Sequence, residues 1–213
     1  MRVEGRVGVA KYADDLEIPP RLGSQGEFIV SDMNGLFYEQ TMRGNAFAYS
    51  TVTAASVTAL GNNLPSLWNP LGSGKNIVIH KVTFQAAAIG VPVISGFQYG
   101  LLSNAGAQIG TGSPIITFTS VAPVNLLLGA GLASVARWGP AVNTYTVAPA
   151  LLAAIGLNLG ATATQTPWSG MDDVNGRIII APGNLLQIAA STATSTTFNI
   201  TIWGFELPVP GVA

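Results

Sequence analysis

The chain has 213 residues, a formal net charge of −1 and no cysteine, which excludes disulfides, thiolate metal sites and cysteine nucleophiles. Its 9 Lys and Arg residues form no basic run and no aromatic–basic pattern, so we expect no nucleic-acid-binding surface. The most apolar stretches, 121–136 and 147–161, are shorter than the roughly 20 residues of a spanning helix, and Pro, Asn and Gly interrupt them. We therefore expect no membrane-spanning helix.

The charged residues are concentrated at the N-terminus. Twelve lie in the first 43 positions, and the rest of the chain carries only Lys75, Lys81, Arg137, Asp172, Asp173, Arg177 and Glu206. An ordinary soluble domain has about 25% charged residues, which keep it soluble and protect its sheet edges. The sequence therefore predicts a body, residues 46–213, that covers much of its surface with other copies of itself.

The first segment, residues 1–45, is charged and is interrupted by Pro19, Pro20 and several glycines. It also contains short apolar patches at 28–30 and 36–38. Fully disordered tails seldom carry aromatic side chains as closely spaced as those of this segment. We interpret residues 1–45 as an extended N-terminal arm, with one or two short strands, that lies along a neighbouring protein.

From Ala46 onward the chain shows short β-like runs separated by turn signals. These runs are 46–54, 76–84, 97–102, 114–121, 142–147, 176–181, 185–190 and 196–207. In the last run, Phe198, Ile200, Ile202 and Gly204 alternate with more polar residues, as in a half-buried antiparallel strand. The pattern predicts an all-β fold, an antiparallel β-sandwich of jelly-roll-like type.

One zone of the body has a helix-like composition. Residues 149–159 begin with Pro149 and continue with Ala and Leu, but Gly156 interrupts them. We therefore predict at most one or two helical turns here.

Three motifs could carry chemistry, and each has a simpler structural explanation. Gly72-Ser73-Gly74-Lys75 lacks the Gly and the Ser or Thr that a phosphate-binding loop needs at positions 69 and 76, so we predict a turn that leads into a strand. His80 is the only histidine and cannot form a multi-histidine metal site. We interpret Asp172 and Asp173 as part of a solvated loop in which an Asp pairs with Arg177 or caps a turn. We predict no catalytic, cofactor-binding or metal-binding residues.

The four tryptophans, at positions 68, 138, 168 and 203, are spread along the body. Trp138 and Trp168 lie next to Gly or Pro in loop-like sequence, where exposed aromatic rings could stack on sugars. Packing in the core or at a subunit interface is the favoured alternative for all four.

Three stretches resemble small structural proteins from the virions of tailed bacteriophages. They are 38–47, 68–79 and 182–187, the last leading into 197–206. The resemblance implies a non-enzymatic β-sandwich of the virion, of the capsid decoration, cement or fibre type, often a homotrimer. In the hypothesis that we favour, the charged N-terminal arm binds the major capsid protein or another virion protein. The alternative is a fibre or receptor-binding module that recognises glycans. The resemblance assigns no functional residues.

Overall fold

The structure is a computed structural model that describes residues 37–88, 96–103, 113–129, 132–155, 169–191 and 197–209. Contacts divide the chain into two units, Met1–Tyr38 and Glu39–Ala213, and every strand given below belongs to the second unit. Most of the predicted N-terminal arm, residues 1–36, lies outside the described residues.

A short helix stands at the end of the segment predicted to be extended. Helix α1 spans Tyr38–Met42, and Arg43 pairs with Glu39 at 2.6 Å, one helical turn earlier. The helix stops because Gly44 takes the left-handed conformation, with φ of 74°, that commonly follows a helix C-terminus. The prediction of extended chain is therefore wrong for residues 38–42.

Thirteen strands follow within the described ranges. They are β1 (Ala46–Ser50), β2 (Ala55–Ser56), β3 (Ser66–Asn69), β4 (Lys75–Ala88), β5 (Phe97–Leu102), β6 (Ile115–Phe118), β7 (Val124–Asn125), β8 (Arg137–Gly139), β9 (Asn143–Tyr145), β10 (Ala150–Ile155), β11 (Ser169–Ile180), β12 (Asn184–Ala190) and β13 (Thr197–Pro208). Their pairing is antiparallel throughout, which agrees with the sequence-based prediction.

The strands form two large sheets and one small one. The first sheet has the order β11-β4-β13-β1-β7, and β2 pairs with the beginning of β13. The second sheet has the order β10-β5-β12-β3-β8, and the third consists of β6 and β9. These sheets confirm the all-β sandwich, while the jelly-roll-like strand order stays a prediction.

The first and second sheets share one hydrophobic core. Phe84 of β4 stacks on Phe97 of β5 with ring centroids 4.2 Å apart, and Phe198 of β13 meets Phe97 edge-on at 5.1 Å. Phe198, Ile200 and Ile202 are fully buried, whereas Thr201 between them is not. The alternation predicted for this strand is therefore confirmed, and it arises because one face of the first sheet packs against the second.

The second sheet is covered on its other face as well. Trp68 of β3 and Leu185 of β12 pack with residues of the third sheet, and the rings of Trp68 and Phe118 lie 5.5 Å apart. Because both faces are covered, β3 is buried at all four positions and β12 at six of seven. The second sheet is therefore the central layer of the body.

Residues 150–155 are a strand, and the prediction of helical turns is wrong for them. Strand β10 pairs with β5, in a register that places Ile155 opposite Phe97 and Ala150 opposite Leu101. Ala and Leu favour helices only weakly, and pairing with a neighbouring strand outweighs that preference. The remainder of the predicted helical zone, 156–159, lies outside the described residues.

Candidate functional site

The Gly72–Lys75 motif forms the predicted turn. The Ser73 amide donates to the carbonyl oxygen of Pro70 at 3.1 Å, and the Ser73 hydroxyl donates to that of Lys75 at 3.2 Å. Strand β4 begins at Lys75. The chain thus leaves the turn as a strand, with no helix N-terminus to hold a phosphate.

His80 lies on β4, where it is partly buried and its ring stacks near Phe205 at 6.4 Å. Burial lowers the pKa of His80, the charge of Lys81 lowers it further, and Asp173 opposes both effects. Across the described parts of the chain, no three His, Asp or Glu side chains converge as metal ligands.

Asp172 and Asp173 lie in strand β11, so the prediction of a solvated loop is wrong. Asp172 contacts the second sheet through Tyr99 of β5, whose hydroxyl donates a hydrogen bond to Asp172 Oδ2 at 2.8 Å. Arg177 Nη2 lies 3.9 Å from Asp172 Oδ1, which confirms the predicted pairing. Burial raises the pKa of Tyr99 well above its usual range, and the charge of Asp172 adds to this effect. The Tyr99–Asp172 hydrogen bond therefore links the edge strand β11 to β5.

Trp138 is completely buried in β8 and cannot stack on a sugar. It pairs with Leu67 of β3, and its carbonyl accepts a hydrogen bond from the Val121 amide at 2.7 Å. This corrects its assignment to a loop and confirms core packing. Trp68 is also fully buried, whereas Trp168 lies outside the described residues.

Glu206 was not singled out from the sequence, yet it is the one fully buried acidic side chain in the described ranges. Its carboxylate accepts hydrogen bonds from the Ser134 hydroxyl, from the Tyr49 hydroxyl at 3.3 Å and from the Val135 amide at 3.0 Å. Lys75 Nζ lies 3.6 Å away. The period-2 pattern of β13 could have revealed this position, since Glu206 continues the buried face of Phe198, Ile200 and Ile202.

The Glu206 carboxylate connects two segments that are distant in sequence, Tyr49 of β1 and Ser134–Ala136, to β13. The amide of Ala136 also donates to it, at 3.3 Å, so the segment from Ser134 to Ala136 wraps the carboxylate with backbone donors. Burial raises the pKa of Tyr49 well above its usual range, and the negative charge of Glu206 raises it further. Tyr49 therefore remains a neutral hydrogen-bond donor inside the core.

The few charges of the body largely pair with one another. The ion pairs are Lys75–Glu206 at 3.6 Å, Lys81–Asp173 at 3.2 Å and Arg177–Asp172 at 3.9 Å. The seventh charge, Arg137, lies 5.0 Å above the ring of Trp68 and makes no ion pair within the described segments. Six of the seven charged residues beyond residue 45 therefore have an oppositely charged neighbour, so that little unpaired charge remains on this part of the surface.

A cleft of about 620 Å³ opens between β10 and β11, the edge strands of the two large sheets on the same side of the sandwich. Leu152 and Ala153 line it from β10, and Ile178 and Ile179 line it from β11. Its polar groups include Asp172, Arg177, Asn184 and Tyr99.

Large apolar side chains remain exposed on the two strands that border this cleft. The exposed fraction is 61% for Leu151, 44% for Leu152, 58% for Met171 and 57% for Ile179. Exposed apolar side chains on neighbouring strands are typical of a surface that meets a partner. We therefore regard the β10–β11 side of the sandwich as the candidate functional site, an interaction surface.

The described part of the chain contains no helix long and apolar enough to cross a membrane. Comparison of the whole chain with protein-family models, with curated proteins and with solved structures found no match in any of the three.

Proposed function

We propose that the chain is a non-enzymatic structural subunit of a virion, a capsid decoration or cement protein that assembles with copies of itself. In this proposal it is located in the virion, and residues 1–45 bind the major capsid protein or another virion protein. The observation that carries the proposal is the neutral surface of the sandwich, on which the few charges pair internally and large apolar side chains stay exposed.

A neutral surface suits subunit contacts for a physical reason. Burying an unpaired ion at an interface costs on the order of several kcal/mol, because the ion loses its hydration. Burying apolar surface is favourable. Exposed apolar side chains also occur away from the cleft, including Leu128 at 83% and Val147 at 63%. The subunit thus offers more than one surface that contact with other subunits would stabilise.

The resemblance of the sequence to phage virion proteins favours a homotrimer, since rings of identical subunits close with a single type of contact. The alternative function, a fibre or glycan-binding module, depended on exposed Trp138 and Trp168. Trp138 is buried, and Trp168 lies outside the described residues.

The native mass of the full-length chain tests self-assembly directly. Light scattering without detergent, at micromolar concentration, should show one discrete mass that corresponds to a closed oligomer, such as a trimer or a larger assembly with a whole number of copies. A stable monomer would contradict self-assembly and would mean that the neutral surface meets a different protein.

A further inference from the structure

We infer that β10 is an assembly edge, which pairs antiparallel with β10 of a second copy of this chain and joins two sandwiches into one continuous sheet. The inference rests on the self-assembly part of the proposed function and names the strand that performs it. It follows from how the sheet edges of the described body are protected.

Edge strands expose unpaired backbone N–H and C=O groups, and proteins protect them with charges, bulges, shortness or a covering segment. Strand β8 is three residues long, begins with Arg137, and has its open side met by Val121. Strand β7 has only two residues, while β6 and β9 have four and three. None of these strands offers a long free edge.

Strand β11 is long but heavily protected. Its register against β4 shifts between Asp173 and Ile178, which makes a large bulge. The charges of Asp172, Asp173 and Arg177 lie in or beside that bulge. A bulge and charges together disfavour addition of another strand.

Strand β10 differs from every other edge. Its six residues include no charge, Pro or Gly, and the first five are exposed. In the described structure it pairs only with β5. One irregularity occurs, between Leu151 and Ala153, but Ala153–Ile155 continue in regular register with β5. An uncharged, exposed edge of this kind is a template for strand pairing.

A second copy of β10 is the occupant that fits this edge. An uncharged strand is best matched by another uncharged strand, because a charged partner would lose hydration without gaining an ion pair. Among the described strands, β10 is the only long edge of that character, so a head-to-tail contact lacks a second strand to receive it. Self-pairing about a two-fold axis requires no other strand, and the exposed leucines beside the cleft would be covered by the partner.

Pairing of this kind joins copies two by two. An assembly that uses it is a dimer or a larger assembly with an even number of copies, such as two trimers joined through their β10 edges. This differs from the simple trimer that the resemblance implies. A native mass that corresponds to an odd number of copies would therefore contradict β10 self-pairing.

Single cysteines can reveal the pairing, because the chain contains no cysteine of its own. We would prepare full-length Leu151→Cys, Leu152→Cys, Ala153→Cys and Ala154→Cys, oxidise each mildly, and measure disulfide-linked dimer. In antiparallel self-pairing, equivalent residues approach within about 5.5 Å at the axis, and their offset along the strands grows by about 7 Å for each residue away from it. Disulfides need Cα atoms closer than about 7 Å. One or two adjacent positions should therefore cross-link strongly, and the others weakly.

The control for random collision is Val52→Cys, whose position is 75% exposed but lies between β1 and β2. Cross-linking at β10 that does not exceed this control, or that is equal at all four positions, would overturn the inference.

A charge-exchange experiment tests the same contact without cross-linking. At the position that cross-links most strongly, substitution by Lys and by Glu each places like charges near each other across the axis; each variant should weaken β10 pairing about tenfold or more, whereas an equimolar mixture of the two should restore it. Val52→Lys should leave the native mass unchanged.

The outcomes separate this inference from the proposed function. Variants that keep the native mass of the unmodified chain, with no preferred cross-link, would refute β10 pairing while self-assembly stands. Weakening by both charge variants without rescue in the mixture would mean that a different strand occupies the edge, which also refutes self-pairing. A monomeric full-length chain would refute both proposals.

Discussion

Glu206 is a carboxylate on a strand face that otherwise carries Phe198, Ile200 and Ile202. It is tolerated there because backbone amides, two hydroxyl groups and Lys75 surround it. A buried charge that is fully hydrogen-bonded contributes little net stability, but removing it leaves its donors without partners. We therefore assign Glu206 a structural role, the fastening of the Ser134–Ala136 segment to β13.

Replacing this carboxylate should be costly. We expect Glu206→Ala to lower the free energy of unfolding by about 3 kcal/mol, because the amides of Val135 and Ala136 lose their acceptor in the core. Glu206→Gln keeps one acceptor oxygen and should cost about 1–2 kcal/mol. Urea unfolding measures both changes.

The matched control is Asp173→Ala, which breaks the ion pair with Lys81 at a side chain that is 54% exposed. We expect a change of about 0.5 kcal/mol or less, as for most surface ion pairs. If Glu206→Ala cost no more than Asp173→Ala, the structural role of the buried carboxylate would be wrong.

At the level of elements, the bulge of β11 decides the shape of one sheet edge. Asn175 and Gly176 both take left-handed backbone conformations, with φ of 48° and 78°. Non-glycine residues adopt this conformation at a cost of roughly 1–2 kcal/mol. The sequence Asn175-Gly176 is therefore well suited to the bulge, and it directs β11 away from regular pairing.

Substitution of the bulge glycine tests this interpretation. Gly176→Ala should lower the free energy of unfolding by about 1 kcal/mol or more because of the backbone strain, since an added methyl group meets its nearest neighbour, Val78, only at 3.5 Å. Gly61→Ala is the control, because Gly61 lacks a positive φ and the added methyl group would come no closer than 3.8 Å to other atoms. Equal stability of the two variants would mean that β11 needs no glycine at this position.

For the whole molecule, the concentration of charge at the N-terminus predicts that the N-terminal segment and the β-sandwich body have separable roles. We expect removal of residues 1–36 to leave a folded, oligomeric body that no longer joins the virion to which we propose it belongs. Residues 37–45 are kept because the carbonyl of Asn45 accepts a hydrogen bond from the Glu206 amide at 2.8 Å. Circular dichroism, light scattering and incorporation into assembled particles measure the three properties. Loss of folding in the truncated chain would contradict the proposed arm.

The sequence predicted β4, β5, β12 and β13 well, because each is a run of β-branched or apolar residues between turn signals. It did not reveal β3, since Ser66 and Asn69 are polar and the strand is buried on both faces, which removes the alternation. Trp138 belongs to the core shared by the first and second sheets, although Gly and Pro follow it in sequence.

The sequence by itself determined the fold class, the antiparallel strands and the concentration of charge at the N-terminus, because composition and period-2 alternation are local properties. Only the tertiary structure decided which charges pair, where Glu206 is buried and which strand is left as an open edge. Those outcomes depend on contacts between residues far apart in the chain: the Tyr49 and Glu206 side chains, for example, are 157 positions apart. Sheet order brings such residues together, and no short pattern in the sequence records that order.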